Sequence, residues 1–245
     1  MSEFQAISDA DLELLRQHDT PTVCNTIELF EIRPRTAGYM DGRIRSCFPE
    51  MEPMVGYATT ATYRSSSAPR EAESTRSLEA QAAAMADLPR PSVVVFQDLD
   101  DPPVAATFGD VMCSTYQAFG SVGLISSGAG RDLEQVRALG FPIFTNGAIC
   151  AHGYSQTLQI NIPVRVGGVT VRPGDLLHGD ANGVTTIPPE AASRIARACP
   201  QFVGLERPIL EYVKSGKADA EGLGQVRRQF AQQWRDLAAK VQREQ

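Results

Sequence analysis

The sequence is poor in lysine, which occurs only at Lys214, Lys217 and Lys240. An imine-forming enzyme needs a desolvated lysine in its site, and a P-loop needs one after its glycine-rich turn. Residues 1–213 contain no lysine, so neither kind of site lies in that part of the chain. Arginine carries nearly all of the positive charge, and its guanidinium suits fixed, bidentate binding of anions.

Cysteine and histidine are also scarce and scattered. The chain has five cysteines and three histidines, with no CxxC pair and no HExxH motif. We therefore expect reduced thiols, without a disulfide framework or a zinc site. Cys113 is expected to be a small buried residue rather than a nucleophile, and His152 and His178 are expected to be loop or core residues.

Long apolar runs and an excess of positive charge are absent as well. No segment approaches the ~20 apolar residues of a membrane-spanning helix, and the first residues lack the basic start of a signal peptide. A net charge of −6 disfavours general binding to nucleic acids or anionic membranes. We expect a cytoplasmic protein with no nucleic-acid or membrane partner. Its 245 residues, 42% of them hydrophobic, can bury a large core.

The pattern of apolar residues and of Gly and Pro predicts the order of elements. In the N-terminal part, helices are predicted over 8–18 with Ser8 as N-cap, from a Thr20 cap to about Phe30, and over 71–87. Strands are predicted over 55–64 and 92–98.

Strands and helices then alternate from residue 104, with helices over 110–119 and 132–139, which predicts βαβ units and a parallel sheet. Residues 162–187 predict short strands joined by hairpins. Helices follow from Pro188, over 201–216 and over 221–243. The simplest division is one α/β domain over 1–215 and a helical extension over 216–245.

Two predicted strand-to-helix junctions carry polar residues. "FGDVM" places Gly109 and Asp110 before one helix, and "SSGAGRDLEQ" places Arg131 and Asp132 before the next. Ligands of parallel sheets bind beyond the carboxyl ends of strands, where helix N-termini favour anions. The amides of residues 110–112 could hold a carboxylate that Arg131 also binds, and Asp132 could bind a hard cation.

A structural interpretation competes with this one, because aspartate is common at helix N-termini, where it contributes ~1 kcal/mol as a cap. For Asp110 both interpretations stand. For Arg131 and Asp132 we favour function, because two opposite charges lie together at the predicted active edge.

The two junction motifs, "FGDVM" and "SSGAGRDLEQ", are followed in the sequence by "VRVGGVTVRPGDLLHGDANGVTTIP". In their order and spacing, over roughly residues 20–215, these three segments resemble the 4-hydroxy-4-methyl-2-oxoglutarate aldolase / RraA-like family. The resemblance implies a swivelling β/β/α domain, an α/β/β/α sandwich. It also implies homotrimers or homohexamers with sites at subunit interfaces. Family enzymes cleave pyruvate-bearing hydroxy-di- or tricarboxylates with Mg²⁺ or Mn²⁺, and many decarboxylate oxaloacetate.

The resemblance also implies roles for particular residues. Arg131 would contact the pyruvyl group and Asp132 would hold the metal. The turn Gly109, Asp110, Val111 and Met112 would bind the carboxylate, with Asp110 also orienting a metal-bound water. A glutamate from the C-terminal region of the neighbouring subunit would complete the site; Glu206 is the first choice and Glu211 the second.

One departure from the family is the pair Ser127-Gly128, where the family usually has Asp-Gly, and this change could alter the pocket or the choice of substrate. The family's non-catalytic regulators of ribonuclease E typically lack the metal-binding aspartate after the arginine, whereas this chain has it as Asp132. We therefore expect a class II lyase that acts on a small 2-keto acid. Such a regulator remains one alternative, and a metal-dependent 2-keto acid hydratase or isomerase is another.

Six further arginines could bind distal carboxylates of a substrate, although surface solvation is the expected role of most. These are Arg33, Arg35, Arg43, Arg45, Arg64 and Arg70.

Overall fold

The computed structural model describes residues 6–69 and 75–243. The helices are α1 Asp9–Arg16, α2 Thr20–Glu28, α3 Leu78–Ala84, α4 Asp110–Ala118, α5 Leu133–Ala138, α6 Ala192–Lys214 and α7 Ala220–Arg243. The strands are β1 Arg45–Ser46, β2 Met54–Arg64, β3 Ser92–Asp98, β4 Ala106–Phe108, β5 Ser121–Ser126, β6 Ala129–Gly130, β7 Ile143–Thr145, β8 Gln156–Ile160, β9 Val164–Val166, β10 Val169–Val171, β11 Leu176–Asp180 and β12 Gly183–Ile187. Short 3₁₀ turns, Met85–Asp87 and Pro189–Ala191, follow α3 and precede α6.

The main sheet in the described part of the chain has eight strands, in the order β1-β7-β5-β3-β2-β11-β12, with β8 also beside β2. The pairs β2–β3, β3–β5 and β5–β7 are parallel, whereas β1, β8, β11 and β12 join antiparallel. The parallel prediction is therefore correct for the centre of the sheet only, and the sheet is mixed. Two of these four antiparallel strands, β11 and β12, come from the predicted hairpin region.

Strand β4 does not enter the main sheet, which corrects the expectation that it continues the βαβ series. It pairs in parallel with β6 in a separate two-stranded sheet. The two strands approach so closely that the Phe108 ring occupies the space where a β-carbon at Gly130 would lie. Glycine is therefore required there by the close approach of the two strands.

Apolar residues of the sheet alternate between two faces, as expected for buried strands. On β3, Val93 and Val95 pack with the β9–β10 hairpin, while Val94 and Phe96 pack with residues of α4 and α5. A third cluster joins one end of the sheet to α1, α2, α6 and α7. The molecule thus has the predicted α/β class, with a helical C-terminal extension.

The N-terminal helices confirm most of the pattern. Ser8 caps α1, and its hydroxyl accepts the Asp11 N–H at 3.2 Å. The cap of α2 is Asp19 rather than Thr20, because the Asp19 carboxylate accepts the Thr22 N–H at 2.8 Å. Of the helix predicted over 71–87, residues 71–74 lie outside the described part.

The C-terminal helices differ from the prediction in one respect. Residues 192–214 form one continuous helix through Pro200, whereas the sequence suggested a break there. Proline removes one helical hydrogen bond, but Cys199 and Phe202 on either side of it are buried in the core and hold the helix in place. Leu237 of α7 joins the same cluster. Within 6–69 and 75–243, no helix has the length and apolarity needed to cross a membrane.

Candidate active site

Pairing of β4 with β6 brings the two polar junctions together. Phe108 lies opposite Gly130, so the residues that follow each strand, Gly109 and Arg131, emerge side by side. The Arg131 N–H donates to the Phe108 carbonyl at 3.2 Å, which extends this contact by one residue. The N-terminus of α4 therefore faces the turn that begins α5.

Asp132 does not cap its own helix. It is the N-cap residue of α5 in the left-handed region, with φ of 56°, and its side chain accepts no capping hydrogen bond. Instead, its Oδ2 lies 3.4 Å from the Asp110 N–H and 3.5 Å from Arg131 Nε. Asp132 therefore does not cap α5, and its carboxylate lies instead at the positive end of α4, where it accepts from the first amide of that helix.

Gly109 makes this arrangement possible. A methyl group there would lie 2.5 Å from Asp132 Oδ2 and 3.2 Å from Arg131 Nε, which is closer than ordinary contact. Its backbone is extended, with φ of −150°, so space rather than conformation requires glycine.

An open pocket of about 270 Å³ adjoins these residues. Its wall contains the predicted turn and Arg131, and also side chains that the sequence did not indicate. The lining residues are Tyr63, Ala106, Phe108, Gly109, Asp110, Val111, Met112, Arg131, His152 and Ser155. Asp132 is not on this wall but lies directly behind Gly109.

The first turn of α4 offers fewer free amides than the sequence suggested. The Asp110 N–H points to Asp132, and the Val111 N–H donates to Asp110 Oδ1 at 2.8 Å. Cys113 N–H donates to the Gly109 carbonyl, as in a regular helix. Among residues 6–69 and 75–243, no acceptor faces the Met112 N–H, so this donor is available to an anion.

On the same pocket wall as Arg131, the Tyr63 hydroxyl and the Ser155 hydroxyl form a hydrogen bond. Burial raises the pKa of the Tyr63 phenol, which outweighs the lowering by the Ser155 hydrogen bond and by Arg131. Tyr63 is therefore a hydrogen-bond donor at neutral pH. Sequence analysis missed both residues because β2 and the loop after residue 150 are distant from the motifs along the chain.

The glutamates expected from a neighbouring subunit lie on α6. Glu206 is half-buried; burial, and then the nearby Asp19 carboxylate, raise its pKa. Glu211 is exposed. Neither lines the pocket of its own chain, and their role across an interface remains a prediction.

Cys113 and His178 have structural roles. Cys113 is fully buried, and burial raises the pKa of its thiol to about 12, so it stays protonated. His178 is also fully buried, between the Thr20 hydroxyl at 2.9 Å and the Leu15 carbonyl at 3.0 Å. His152 is a loop residue as expected, but the loop lies at the pocket.

Each additional arginine that the structure describes has a partner within the protein, and none of them lines the pocket that contains Arg131. Arg33 bonds Thr185 and Thr186, and Arg45 bonds the Gly42 carbonyl. The partners of the other three are Glu28 for Arg35, Asp41 for Arg43 and Gln156 for Arg64. Arg70 lies outside the described residues.

A second pocket, of about 310 Å³, contains Ser127, the residue that departs from the family pattern. Ser127 Oγ accepts the Asp98 N–H at 2.9 Å. Asp98 is buried, its Oδ2 has no hydrogen-bond partner among the described residues, and burial raises its pKa to about 6. The change at position 127 therefore affects this second pocket rather than the wall that contains Arg131.

The donor set beside the first pocket suits a hard cation with few protein ligands. Asp132 makes only long contacts, and a third of its side chain is exposed. No group of three or more His, Cys, Asp or Glu side chains suited to a metal occurs in the described parts of the chain. Mg²⁺ commonly uses one or two carboxylates and retains water, so Asp132 fits Mg²⁺ or Mn²⁺ better than zinc.

Known proteins resemble this chain in sequence and in fold. A protein of Halalkalibacterium halodurans named "Putative 4-hydroxy-4-methyl-2-oxoglutarate aldolase" is 35% identical over 132 residues, 54% of this chain and 56% of that protein. Protein DlpA of Legionella pneumophila is 28% identical over 84% of this chain and 32% of its own length. The chain thus matches about half or less of each of these two proteins.

Solved structures show the same fold. An uncharacterized protein of Pseudomonas syringae pv. tomato superposes with a TM-score of 0.73 at 23% identity, covering 94% of this chain and 98% of its own. RraAS2 of Streptomyces coelicolor, described as an unusual member of the RNase ES inhibitor RraA family, gives 0.66 at 22% identity, covering 82% and 97%. The sequence model of the family described as "RraA-like: Aldolase/RraA" matches residues 7–186. The chain belongs to this RraA-like family.

Proposed function

We propose that the protein is a divalent-metal-dependent lyase that cleaves a 4-hydroxy-2-oxo di- or tricarboxylate into pyruvate and a second carbonyl compound, and that it also decarboxylates oxaloacetate. The observation that carries this proposal is the contact between the Arg131–Asp132 turn and the N-terminus of α4 at one pocket. The aldolase names of its relatives support the same reaction class.

Retro-aldol cleavage needs an acceptor for the electrons of the broken carbon–carbon bond. A lysine imine is one such acceptor, but no lysine lines the pocket. A divalent cation held by Asp132 would instead serve as the electron acceptor, because it would act as a Lewis acid on the keto oxygen.

The chain's own residues would bind and orient the keto acid. The free Met112 N–H and the positive end of α4 would bind its carboxylate. Arg131, one-third exposed on the pocket wall, would donate charge-assisted hydrogen bonds to the oxygen that becomes negative as the bond breaks. Asp110 would orient a water molecule beside the substrate.

We further propose that a homotrimer or homohexamer completes the site, with Glu206 reaching the pocket of a neighbour. Val111, on the pocket wall, and Tyr154, beside it, are 68% and 58% exposed, which leaves an apolar rim for a second copy to cover. Light scattering of the purified protein would measure the state, and a monomer with full activity would contradict this part.

The direct test is pyruvate release from 4-hydroxy-4-methyl-2-oxoglutarate and from oxaloacetate, followed with lactate dehydrogenase. We expect activity that EDTA abolishes and Mg²⁺ or Mn²⁺ restores. Because loss of one electrostatic contact of this kind typically lowers turnover about 10²–10³-fold, Arg131→Ala and Asp132→Ala should each do so.

Matched controls lie on the same helix. Arg137, paired with Glu50 on the surface, and Glu134, exposed in the first turn, each carry the same charge as a site residue. Arg137→Ala and Glu134→Gln should retain activity. Near-full metal-dependent activity in Asp132→Ala would refute the assignment. Binding to a ribonuclease without any turnover, or turnover without carbon–carbon cleavage, would favour the regulator or the hydratase alternative.

A further inference from the structure

The loop that carries His152 is tied to both strands that form the candidate site. The Ala151 carbonyl accepts the Ala106 N–H of β4 at 2.7 Å, three residues before Gly109. On the other side, Gly130 of β6 exchanges hydrogen bonds with Gly147 and Ile149, each at 3.0 Å. These bonds hold the loop against the strands that position Gly109 and Arg131.

Hydrogen bonds also fix the end of this loop. The Ser155 N–H donates to the His152 carbonyl at 3.2 Å, and the Tyr154 N–H donates to the Ser65 carbonyl at 3.0 Å. Ser155 in turn bonds Tyr63 on β2. His152 is therefore an exposed side chain on a braced loop, on the same pocket wall as Arg131.

The tautomer of the neutral His152 ring follows from its one contact. Nδ1 lies 2.8 Å from the Gly153 carbonyl oxygen, which can only accept, so Nδ1 carries the proton. In the neutral ring, Nε2 then carries the lone pair. Nε2 has no partner in the portions of the chain that the structure describes, and it is the nitrogen left for a ligand.

The other polar side chains on the wall are less suited to accept a proton. Arg131 is a permanent cation. Tyr63 remains a donor because burial raises its pKa. The Asp110 carboxylate accepts the Val111 N–H at Oδ1, and carboxylates are in general weaker bases than imidazoles. An imidazole with a free lone pair is the type of group that most often serves as a general base.

We propose that His152 Nε2 removes the proton from the C4 hydroxyl of the substrate during carbon–carbon cleavage. This inference rests on the lyase function proposed above. As the proton moves to Nε2, the O–H electron pair forms the C4 carbonyl, and the C3–C4 pair moves into the C2–C3 double bond of the enolate. The imidazolium then returns the proton to C3, which gives pyruvate and consumes no further reactant.

Oxaloacetate decarboxylation separates this role from the rest of the site. The bond that breaks there releases CO₂ from a carboxylate that is already ionised, so no hydroxyl proton has to be removed, and the resulting enolate takes its C3 proton from water. Binding of the keto acid, Arg131 and the cation would still be required. Loss of His152 should therefore affect the two reactions unequally.

The test compares both reactions in His152→Asn, whose amide can still donate to the Gly153 carbonyl but lacks Nε2. We expect kcat for cleavage of 4-hydroxy-4-methyl-2-oxoglutarate to fall about 10²–10⁴-fold, with decarboxylation within threefold of the wild type. Added imidazole should partly restore cleavage by His152→Ala. Cys150→Ser, at an exposed side chain of the same loop that does not line the pocket, is the control and should retain both activities.

Each other result counts against the proposal. Equal losses in both reactions, or no loss in either, would overturn the role of His152 and leave the lyase function intact. A wild-type protein that catalyses neither reaction would refute the lyase function itself.

Discussion

Replacing Gly109 with alanine would test the site without removing any functional group. The added methyl would lie 2.5 Å from Asp132 Oδ2 and 3.2 Å from Arg131 Nε, whereas ordinary contacts begin near 3.4 Å. The backbone at Gly109 is extended and accepts alanine, so the effect of Gly109→Ala is steric. The side chains of Arg131 and Asp132 are each one-third exposed, so they can shift toward solvent to make room for the methyl group. We therefore expect the fold to persist.

The magnitude follows from the displacement. Ordinary contact requires the Asp132 carboxylate to retreat by roughly 1 Å, and a misplacement of about 1 Å in an active site can lower the rate 10²-fold. We expect kcat/KM for pyruvate release to fall about 10²-fold, the affinity for Mn²⁺ to weaken, and the thermal midpoint to change little.

A control distinguishes this effect from a general loss of fold. Gly204 lies on α6, and a methyl added there meets nothing within 4 Å. Gly204→Ala should retain full activity and gain some helix stability. If Gly109→Ala is stable and as active as the wild type in steady-state assays, then the contact between Gly109 and Asp132 has no bearing on the reaction.

Three further predictions concern stability. Because burial raises the pKa of Asp98 from 3.8 to about 6, ionisation of this carboxyl opposes folding. The free energy of unfolding should therefore fall by up to about 3 kcal/mol as pH rises from 4 through 6. Urea titrations of Asp98→Asn should lack this pH dependence, and the same pH dependence in the variant would contradict the prediction. Burial lowers the pKa of His178, so the contribution of its neutral ring to stability is present above the unfolded value of 6.5 and is lost as pH falls below that value. Between pH 7 and 5, the thermal midpoint of His178→Gln should therefore depend less on pH than that of the wild type. An equal dependence would argue against a neutral ring in the native state. Gly130→Ala should lower the free energy of unfolding by about 1–3 kcal/mol, because its methyl would collide with the Phe108 ring. Phe108→Ala should lower it by about 3–5 kcal/mol. If urea titration of the double variant gives a loss equal to the sum of the two, the two positions are independent, which would contradict this contact.

Local patterns in the sequence were enough to predict most elements and the two junctions. Apolar runs such as Ser92–Asp98 mark buried strands, and Ser8 marks the start of α1. The juxtaposition of Gly109 with Arg131 was expected from the carboxyl ends of neighbouring strands. The structure achieves it differently, through the separate β4–β6 pair.

Tertiary contacts account for what the sequence could not supply. The continuation of α6 through Pro200 depends on core packing of Phe202, which no local signal encodes. Tyr63, His152 and Ser155 reach the pocket through pairing of β2 and the bonds of one loop, over separations of roughly 20 to 70 residues from the motifs. Only the three-dimensional structure relates such positions.

The central claim is that Asp132 holds a divalent cation beside Arg131 and that the keto acid binds there. Diffraction from crystals grown with Mn²⁺ and oxalate, an analogue of the pyruvate enolate, tests it most directly through the anomalous signal of manganese. We predict one manganese bound to an Asp132 carboxylate oxygen at about 2 Å, with oxalate between it and Arg131. Manganese bound away from Asp132, or oxalate bound in another part of the molecule, would contradict the account.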